Sequence, residues 1–234
     1  MRLMLSKPLT ANVLKVIAIV AMFVDHASYW IVPKGTAPDL IVHFIGRLAA
    51  PIMCYLIAEG YRHTSNIRKY IFRLFLFAVV SHFPYVLFFE LKWWQATSVM
   101  WGLLMGLVAL TVSRLPNVPV VARLSAVLAC CLFAWTADWN YIAVLWILVF
   151  GWFHGRFVWQ MAGYAAIGGL FYLLPLTHLG SDCFYRFGIL FAIPLFAMYN
   201  GTRGRKSGLI KWGFYVFYPV HLLVLHLLKF VIPD

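Results

Sequence analysis

The chain has 234 residues, of which 64% are hydrophobic and 11% are charged, and its mean hydropathy is +0.86. Ordinary soluble domains are about 45–50% apolar and about 25% charged, so this composition excludes a soluble globular domain and a disordered chain. The formal net charge of +12 would suggest a nucleic-acid partner in a soluble protein, but in a membrane protein it is first compared with the topology.

Continuous apolar runs favour membrane-spanning helices over the alternating strands of a barrel. The first run continues through Asp25 and His26 without a small-residue cleavage site, so we expect it to remain as a signal anchor. Nine candidate spans cover residues 12–32, 40–58, 67–91, 97–113, 119–135, 140–153, 157–175, 183–199 and 212–232. The short sixth span could be tilted, buried in the bundle, or misassigned. The predicted fold is one all-α domain over residues 1–234, a polytopic integral membrane bundle of about nine transmembrane helices.

The distribution of lysine and arginine predicts the orientation of these spans. With the N-terminus in the cytoplasm, Arg47 falls within a span, and four basic residues fall outside: Lys34, Lys92, Arg186 and Lys229. Fourteen fall inside: Arg2, Lys7, Lys15, Arg62, Arg68, Lys69, Arg73, Arg114, Arg123, Arg156, Arg203, Arg205, Lys206 and Lys211. Cytoplasmic loops carry the excess of basic residues. The pattern therefore favours nine spans with the C-terminus outside, and it explains the net charge without a nucleic acid.

Ionisable side chains inside a membrane are costly unless they are paired or hydrated, so they are candidates for function. With a helical rise of about 1.5 Å per residue, the predicted span directions place five of them in the central-to-outer half of the bundle. These residues are Asp25, His26, Arg47, His82 and His221. The prediction is that they meet in one site.

Structural interpretations of the same residues stay open. Asp25 and Arg47 could simply neutralise each other as an ion pair, and a single membrane histidine often hydrogen-bonds a neighbouring helix. Pro51, Pro84 and Pro219 lie near three of the five and indicate either broken helices around a cavity or kinks that improve packing. The histidines expected at interfaces or in loops are His43, His154, His178 and His226.

A second polar group is predicted at the cytoplasmic end of the second and third spans. It consists of Glu59, Arg62, His63, Arg68, Lys69 and Arg73. Positive-inside topology alone would explain its charge. The nearby loop 200–208, NGTRGRKSG, lacks phosphate-loop spacing and a preceding strand, but a flexible basic loop could still contact phosphates. No cysteine spacing indicates a disulfide framework or a zinc site, and no metal is expected.

Four segments resemble the TraX family, known as the F-pilin N-acetylation proteins of conjugative plasmids, with relatives on bacterial chromosomes. They are LKVIAIVAMFVDHASY with Asp25 and His26, IGRLAAPIMCYLIAEGYRHT with Arg47 and Glu59, SHFPY with His82, and FYVFYPVHLLVLHLL with His221. The resemblance is strongest over residues 12–90 and 212–230 and looser in the middle spans.

The resemblance implies an acetyltransferase of the bacterial cytoplasmic membrane that uses cytoplasmic acetyl-CoA. The acceptor would be an amine, favoured over a hydroxyl, near the outer side, on pilin or another envelope molecule. His26 would act as general base or, alternatively, as a transient acyl carrier, with Asp25 orienting it. Arg47 would stabilise the thioester oxygen or hold Asp25. His82 and His221 are further candidates for proton handling, and the second polar group would bind the charged head of CoA.

Two other classes of function fit the same residues. A proton-coupled transporter or channel also uses buried Asp, Arg and His beside broken helices, but no internal repeat is visible. A non-catalytic pilus-assembly factor would tolerate loss of the buried polar residues. Binding of CoA would separate the enzyme from the transporter.

Overall fold

The computed structural model describes residues 7–175, 181–205 and 207–229. The regular secondary structure of these ranges is helical, with two isolated bridges, Leu9–Tyr199 and Thr97–Ala137, and no strand. The α-helices in chain order are α1 Ala11–Ile31, α2 Ala37–Gly46, α3 Ala49–His63, α4 Ile67–Phe88, α5 Val99–Ser113, α6 Val120–Phe133, α7 Asn140–Trp152, α8 Phe157–Gly168, α9 Ala192–Ala197 and α10 Gly208–Lys229. A π-helical segment, Gly169–Leu173, extends α8, and a 3₁₀ helix, Ser181–Phe191, precedes α9.

Each of the nine predicted apolar segments contains helix where the structure describes it. Four helical stretches are long and apolar enough to cross a membrane: Ala11–Ile31, Ala37–His63, Ile67–Phe88 and Gly208–Lys229. Five other apolar helices are shorter, with 10–17 residues, and a perpendicular span needs about 20. A helical membrane protein is therefore supported, whereas nine spans and the orientation of the termini stay predictions. Arg2, His178, Lys206 and the C-terminus lie outside the described residues.

The second predicted span is broken in its middle. Arg47 and Leu48 form a turn between α2 and α3. Pro51 lacks the N–H that would bond the Arg47 carbonyl four residues earlier, and its ring would clash with that carbonyl in a regular helix. The break thus leaves Arg47 at the C-terminal end of α2. Helices α4 and α10, in contrast, continue through Pro84 and Pro219.

Helix α7 lies at the centre of the bundle. Its side chains Trp146, Ile147 and Phe150 are almost fully buried, and the helix packs against α3, α5 and α8. Gly106 on α5 permits this closeness, because a Cβ atom there would lie 2.3 Å from Ile147 Cδ1. Membrane helices commonly pack through such small residues. Of the alternatives for the sixth predicted segment, burial within the bundle is the one that the structure shows.

The larger of the two cavities described below is surrounded by five helices, which are α1, α3, α4, α5 and α10. Helix α10 packs against α4 and α1, and α1 packs against α3. The side chains of Thr10 and Asn66 accept hydrogen bonds from backbone N–H groups in the first turns of α1 and α4, which defines where these helices begin. The first turns of α1, α4 and α10 and the last turn of α3 meet at one end of the bundle.

Candidate functional site

Asp25 and Arg47 form the predicted ion pair. Arg47 Nη2 donates a hydrogen bond of 3.0 Å to Asp25 Oδ2, and Nη1 donates one of 3.2 Å to the Tyr172 hydroxyl. The guanidinium carbon also lies 5.5 Å from the ring centres of Trp139 and Tyr185, within the range of cation–π attraction. Arg47 is thus held by a carboxylate, a hydroxyl and two aromatic faces.

His43, which the sequence analysis assigned to an interface or loop, completes this group. Its Nδ1 lies 2.7 Å from Asp25 Oδ1, and its Nε2 lies 3.1 Å from Asp39 Oδ1. Asp39 Oδ2 also accepts a hydrogen bond of 3.0 Å from the backbone N–H of Gly35. Positions 39, 43 and 47 are spaced by four residues, so they share one side of a helix. That spacing is the signal by which the sequence could have identified His43.

Gly46 allows α1 and α2 to approach at this point. A Cβ atom at position 46 would lie 2.3 Å from Asp25 Cγ and 2.5 Å from Asp25 Cβ. These separations are far inside van der Waals contact, so no side chain larger than a hydrogen fits there without movement. The glycine therefore lets the Asp25 carboxylate reach past α2 to Arg47 and His43.

His26 and His221 form a hydrogen-bonded pair that joins α1 to α10. His221 Nδ1 lies 2.9 Å from the Phe217 carbonyl, and His221 Nε2 lies 2.9 Å from His26 Nδ1. A carbonyl oxygen only accepts, so His221 Nδ1 carries a proton and donates it to Phe217. In the neutral pair His221 Nε2 then accepts from His26 Nδ1. This assignment leaves His26 Nε2 unprotonated, which is the form that a general base requires.

Asp25, His26 and Arg47 line a small cavity of about 40 Å³. Asp138, in the turn between α6 and α7, and Trp139 also line it. One water-sized group needs roughly 10–15 Å³ by the same kind of measure, so the space fits a few non-hydrogen atoms. A cavity of this size can hold small reacting groups but not a whole ligand molecule.

A much larger cavity of about 580 Å³ adjoins the small one. Four residues line both spaces: Met22, Met53, Val99 and Tyr218. These four side chains, which are apolar apart from one hydroxyl, lie where the two cavities adjoin and are called here the apolar throat. Ligand pockets commonly measure about 300–1,000 Å³, and the larger cavity falls within that range.

The far end of the large cavity, called here the basic mouth, carries six residues that can be positively charged. They are Lys15, His63, Lys69, Arg73, Arg203 and Lys211. Of the six residues predicted for CoA binding, Glu59, His63, Lys69 and Arg73 line the cavity, whereas Arg62 and Arg68 are exposed and do not. The sequence analysis did not select Lys15, Arg203 or Lys211 for this site. Arg203 comes from the NGTRGRKSG loop, so that loop does reach the cavity.

Glu59 forms a separate buried group beside the basic mouth. His154 Nδ1, from the turn between α7 and α8, lies 3.0 Å from Glu59 Oε1. The Tyr199 hydroxyl donates a hydrogen bond of 3.3 Å to Glu59 Oε2, and His63 Nε2 lies 3.8 Å from the same oxygen. Glu59 is therefore engaged by protein partners, which favours a structural contribution to the wall of the cavity.

His82 is not brought together with the other four predicted residues. Its Nε2 lies 2.7 Å from the carbonyl of Trp93 in the loop after α4, and it lines neither cavity. The small cavity is lined instead by Asp138, which the sequence analysis did not select. Two backbone hydrogen bonds between this turn and Thr97 hold the turn in position. No helical spacing could indicate Asp138, because it lies in a turn between two helices.

Comparisons with known proteins agree with the motifs. A family model described as TraX protein matches residues 10–229. The chain is 30% identical over 232 residues to the probable fimbrial assembly protein FimC, serogroup H1, of Dichelobacter nodosus, an alignment that covers 91% of this chain and 92% of that relative. No solved structure matches the chain. The resemblance inferred from the four segments is confirmed.

Proposed function

The chain belongs to the TraX family, and from this premise we propose that it is a membrane acetyltransferase that uses acetyl-CoA as its acyl donor. In this proposal the acceptor is an amine near the outer side of the bacterial cytoplasmic membrane. The observation that carries the proposal is that four residues line both the large cavity with the basic mouth and the small cavity that contains His26. One molecule with a highly charged head and a thin reactive arm would fit both.

The basic mouth suits the phosphates of CoA. Lysine and arginine side chains are the usual partners of phosphate groups. Along α1, Lys15 at the mouth and His26 in the small cavity are eleven residues apart, roughly 16 Å at helical rise. The pantetheine arm of CoA is a chain of comparable length, so the thioester would reach the small cavity through the apolar throat.

His26 is the proposed general base. Its Nδ1 donates to His221, so Nε2 is the nitrogen that can accept a proton, and His221 keeps that tautomer in place. We assign this nitrogen the base role, and an acyl-carrier role, which would use the same unprotonated Nε2 as nucleophile, stays the alternative. His221 is a positioning residue in the proposal.

Arg47 is proposed to hold Asp25 and not to contact the thioester. Both of its terminal nitrogens already donate to protein atoms, one to Asp25 and one to Tyr172. Asp25 in turn lies beside His26 in the small cavity, where a carboxylate favours the imidazolium that forms during catalysis.

The reaction balances with these groups. An acceptor ammonium gives one proton to His26 Nε2, and the resulting amine attacks the carbonyl carbon of the thioester. The carbon–nitrogen bond forms and the carbon–sulfur bond breaks, and CoA leaves as a thiol with the second proton of the amine. The proton on His26 then passes to water, so each turnover releases one proton.

Asp138 supports an amine over a hydroxyl as acceptor. Its carboxylate lines the small cavity, and the part of the chain that the structure describes offers it no ion pair. More than a third of the residue is exposed. A carboxylate in such a place would attract the ammonium form of an acceptor and align it with His26.

The test is acetyl transfer by the purified protein in lipid nanodiscs. We expect octylamine to be acetylated from acetyl-CoA, octanol to react more slowly, and the His26→Ala protein to bind CoA without transferring acetyl. Mass spectrometry of the products and calorimetry of CoA binding measure the two steps. Absence of CoA binding would contradict the proposal, and so would unchanged transfer in His26→Ala.

The name of the FimC relative favours a pilus subunit as the natural acceptor. A non-catalytic assembly role is the second candidate, and it predicts that pili form normally when His26 is replaced by alanine. Comparing the pilin mass in cells with the wild-type and the His26→Ala protein separates the two. An acetyl increment that depends on His26 supports the enzyme.

A further inference from the structure

We propose that His43 is a positioning residue that works as an imidazolium, linking Asp39 near the outer end of α2 to the Asp25–Arg47 pair of the site. His43 lines neither cavity, so it would act through Asp25 and not by touching a substrate. The effect on acetyl transfer rests on the proposed function, whereas the ionisation of His43 does not.

The charge of His43 follows from the other partners of its two neighbours. Asp25 Oδ2 accepts a hydrogen bond from Arg47, and Asp39 Oδ2 accepts one from the Gly35 N–H while Asp39 sits in the first turn of α2. A guanidinium partner and a helix N-terminus both favour ionised carboxylates. The remaining oxygen of each carboxylate can therefore only accept, so both ring nitrogens of His43 donate. Only the imidazolium has two donors.

The charges in the group then balance. Two carboxylates, Asp25 and Asp39, face two cations, Arg47 and His43. With a neutral His43 the group would carry one uncompensated negative charge in a largely buried region, which is costly in a membrane protein. The repulsion between the Asp25 and Asp39 carboxylates would then have no cation between them to offset it.

Few other groups face His43. The 3₁₀ helix places the Tyr185 ring 5.7 Å from the His43 ring, and α1 contributes Asp25. On its own helix the facing groups are Asp39 and Arg47. The His43 side chain is 21% exposed, so it can exchange its proton with solvent on the outer side of the group.

A pH profile of acetyl transfer would therefore have two limbs of different origin. On the acid side the rate rises with pH as His26 becomes neutral and able to act as a base. On the alkaline side the rate falls as His43 loses its proton and Asp25 loses one of its two partners. The rate falls with rising pH on this limb because the two carboxylates stabilise the protonated His43 ring, and that stabilisation is lost when the ring loses its proton.

The experiment combines spectroscopy with matched variants. In protein labelled with ¹⁵N-histidine and held in lipid nanodiscs, the His43 signals are those absent from His43→Gln. We expect both of its nitrogens to be protonated at neutral pH. We expect His43→Gln to lower kcat by about 10- to 100-fold with little change in KM for acetyl-CoA. His43→Lys should keep more activity and extend it to higher pH, and Asp39→Asn should move the alkaline limb to lower pH.

Controls keep the two proposals separate. His226→Gln, on α10 and outside both cavities, should leave the rate and the His43 signals unchanged. If wild-type protein transfers no acetyl group, the proposed function fails, but the ¹⁵N signals and the thermal midpoint still decide the charge of His43. A bridging imidazolium predicts that wild-type stability falls at alkaline pH and that His43→Gln removes this fall. A neutral His43 ring at neutral pH, or equal kcat in wild type and His43→Gln, overturns the inference.

Discussion

The two adjoining cavities each have a buried carboxylate that is held by a histidine from another part of the chain. Asp25 is 2.7 Å from His43, and Glu59 is 3.0 Å from His154. Around Asp25, the carboxylates of Asp25 and Asp39 face the side chains of Arg47 and His43. Around Glu59 the six positive or titratable groups of the basic mouth outnumber the one acidic residue among the described lining residues.

Because of this difference, we expect the small cavity and the basic mouth to contribute differently to the reaction. Charges in an enclosed space interact strongly and keep their geometry, which suits proton transfer at a defined atom. Charges at an open mouth are screened by salt and by water, so they attract and retain an anionic ligand without defining one geometry. Substitutions at the small cavity should therefore change kcat or the KM for the acceptor, and substitutions at the mouth should change the KM for acetyl-CoA.

The largest effect is expected at His26. Replacing it with alanine or asparagine removes the only basic nitrogen that the pair with His221 leaves free, and general-base catalysis contributes about 10²- to 10⁴-fold in rate. Binding of CoA should stay near wild type, because the mouth is intact. Calorimetry and transfer assays on the same protein check this, and joint loss of both would place His26 in the binding site.

The Asp25–Arg47 pair should show strong coupling. Removing one partner of a buried pair leaves an uncompensated charge and costs about 3–5 kcal/mol of stability, so Asp25→Asn and Arg47→Gln should each unfold at lower temperature. The double variant should recover much of that stability. If it also recovers activity, the pair is only structural. If it is folded but inactive, Asp25 or Arg47 acts in the chemistry.

Asp138 tests recognition at the enclosed end. Burial raises the pKa of its carboxyl, although Arg47 opposes the shift. Because an acid with a raised pKa is protonated at higher pH than usual, its attraction for an ammonium is lost as the pH falls through that value. Asp138→Asn should raise KM for octylamine by about 10- to 100-fold, the worth of a charged hydrogen bond, and should leave KM for octanol unchanged. In the wild-type protein the KM for octylamine should rise at acid pH, and Asp138→Asn should remove this rise.

Equal changes of KM for octylamine and octanol in Asp138→Asn would argue against recognition of the amine by Asp138.

The smallest single effects are expected at the basic mouth. Neutralising Lys69, Arg73, Arg203 or Lys211 singly should raise KM for acetyl-CoA about two- to fivefold, because exposed ion pairs contribute up to about 1 kcal/mol. The effect should shrink at high salt, while kcat at saturation stays unchanged. Arg62→Gln and Arg68→Gln serve as matched controls of the same chemistry outside the cavity. A lower kcat in the mouth variants, or an equal change of KM in the two controls, would contradict the different contributions expected of the basic mouth and the small cavity.

Much of the site was predictable because membrane burial makes ionisable residues conspicuous. Asp25, His26, Arg47 and His221 stand out in apolar segments, and their depth follows from span direction and helical rise. The same reasoning grouped His82 with these four residues, but His82 lines neither cavity, since depth carries no information about which way a helix faces its neighbours. Asp138 was missed because a turn has no periodicity, and Lys15, Arg203 and Lys211 because topology already explained their charge.

The sequence by itself determined the helical segments, the alternation of basic residues and the family to which the chain belongs. These depend on local hydropathy and on residue patterns that persist without packing. Only the tertiary structure decided that α2 and α3 are separate helices and that His43 bridges two carboxylates. It also showed that Met22, Met53, Val99 and Tyr218 line both the large cavity and the small cavity that contains His26. The sequence left Pro51 open between a helix break and a kink. The contact of His43 with Asp25 depends on the close approach of α1 to α2 at Gly46, which local sequence does not specify.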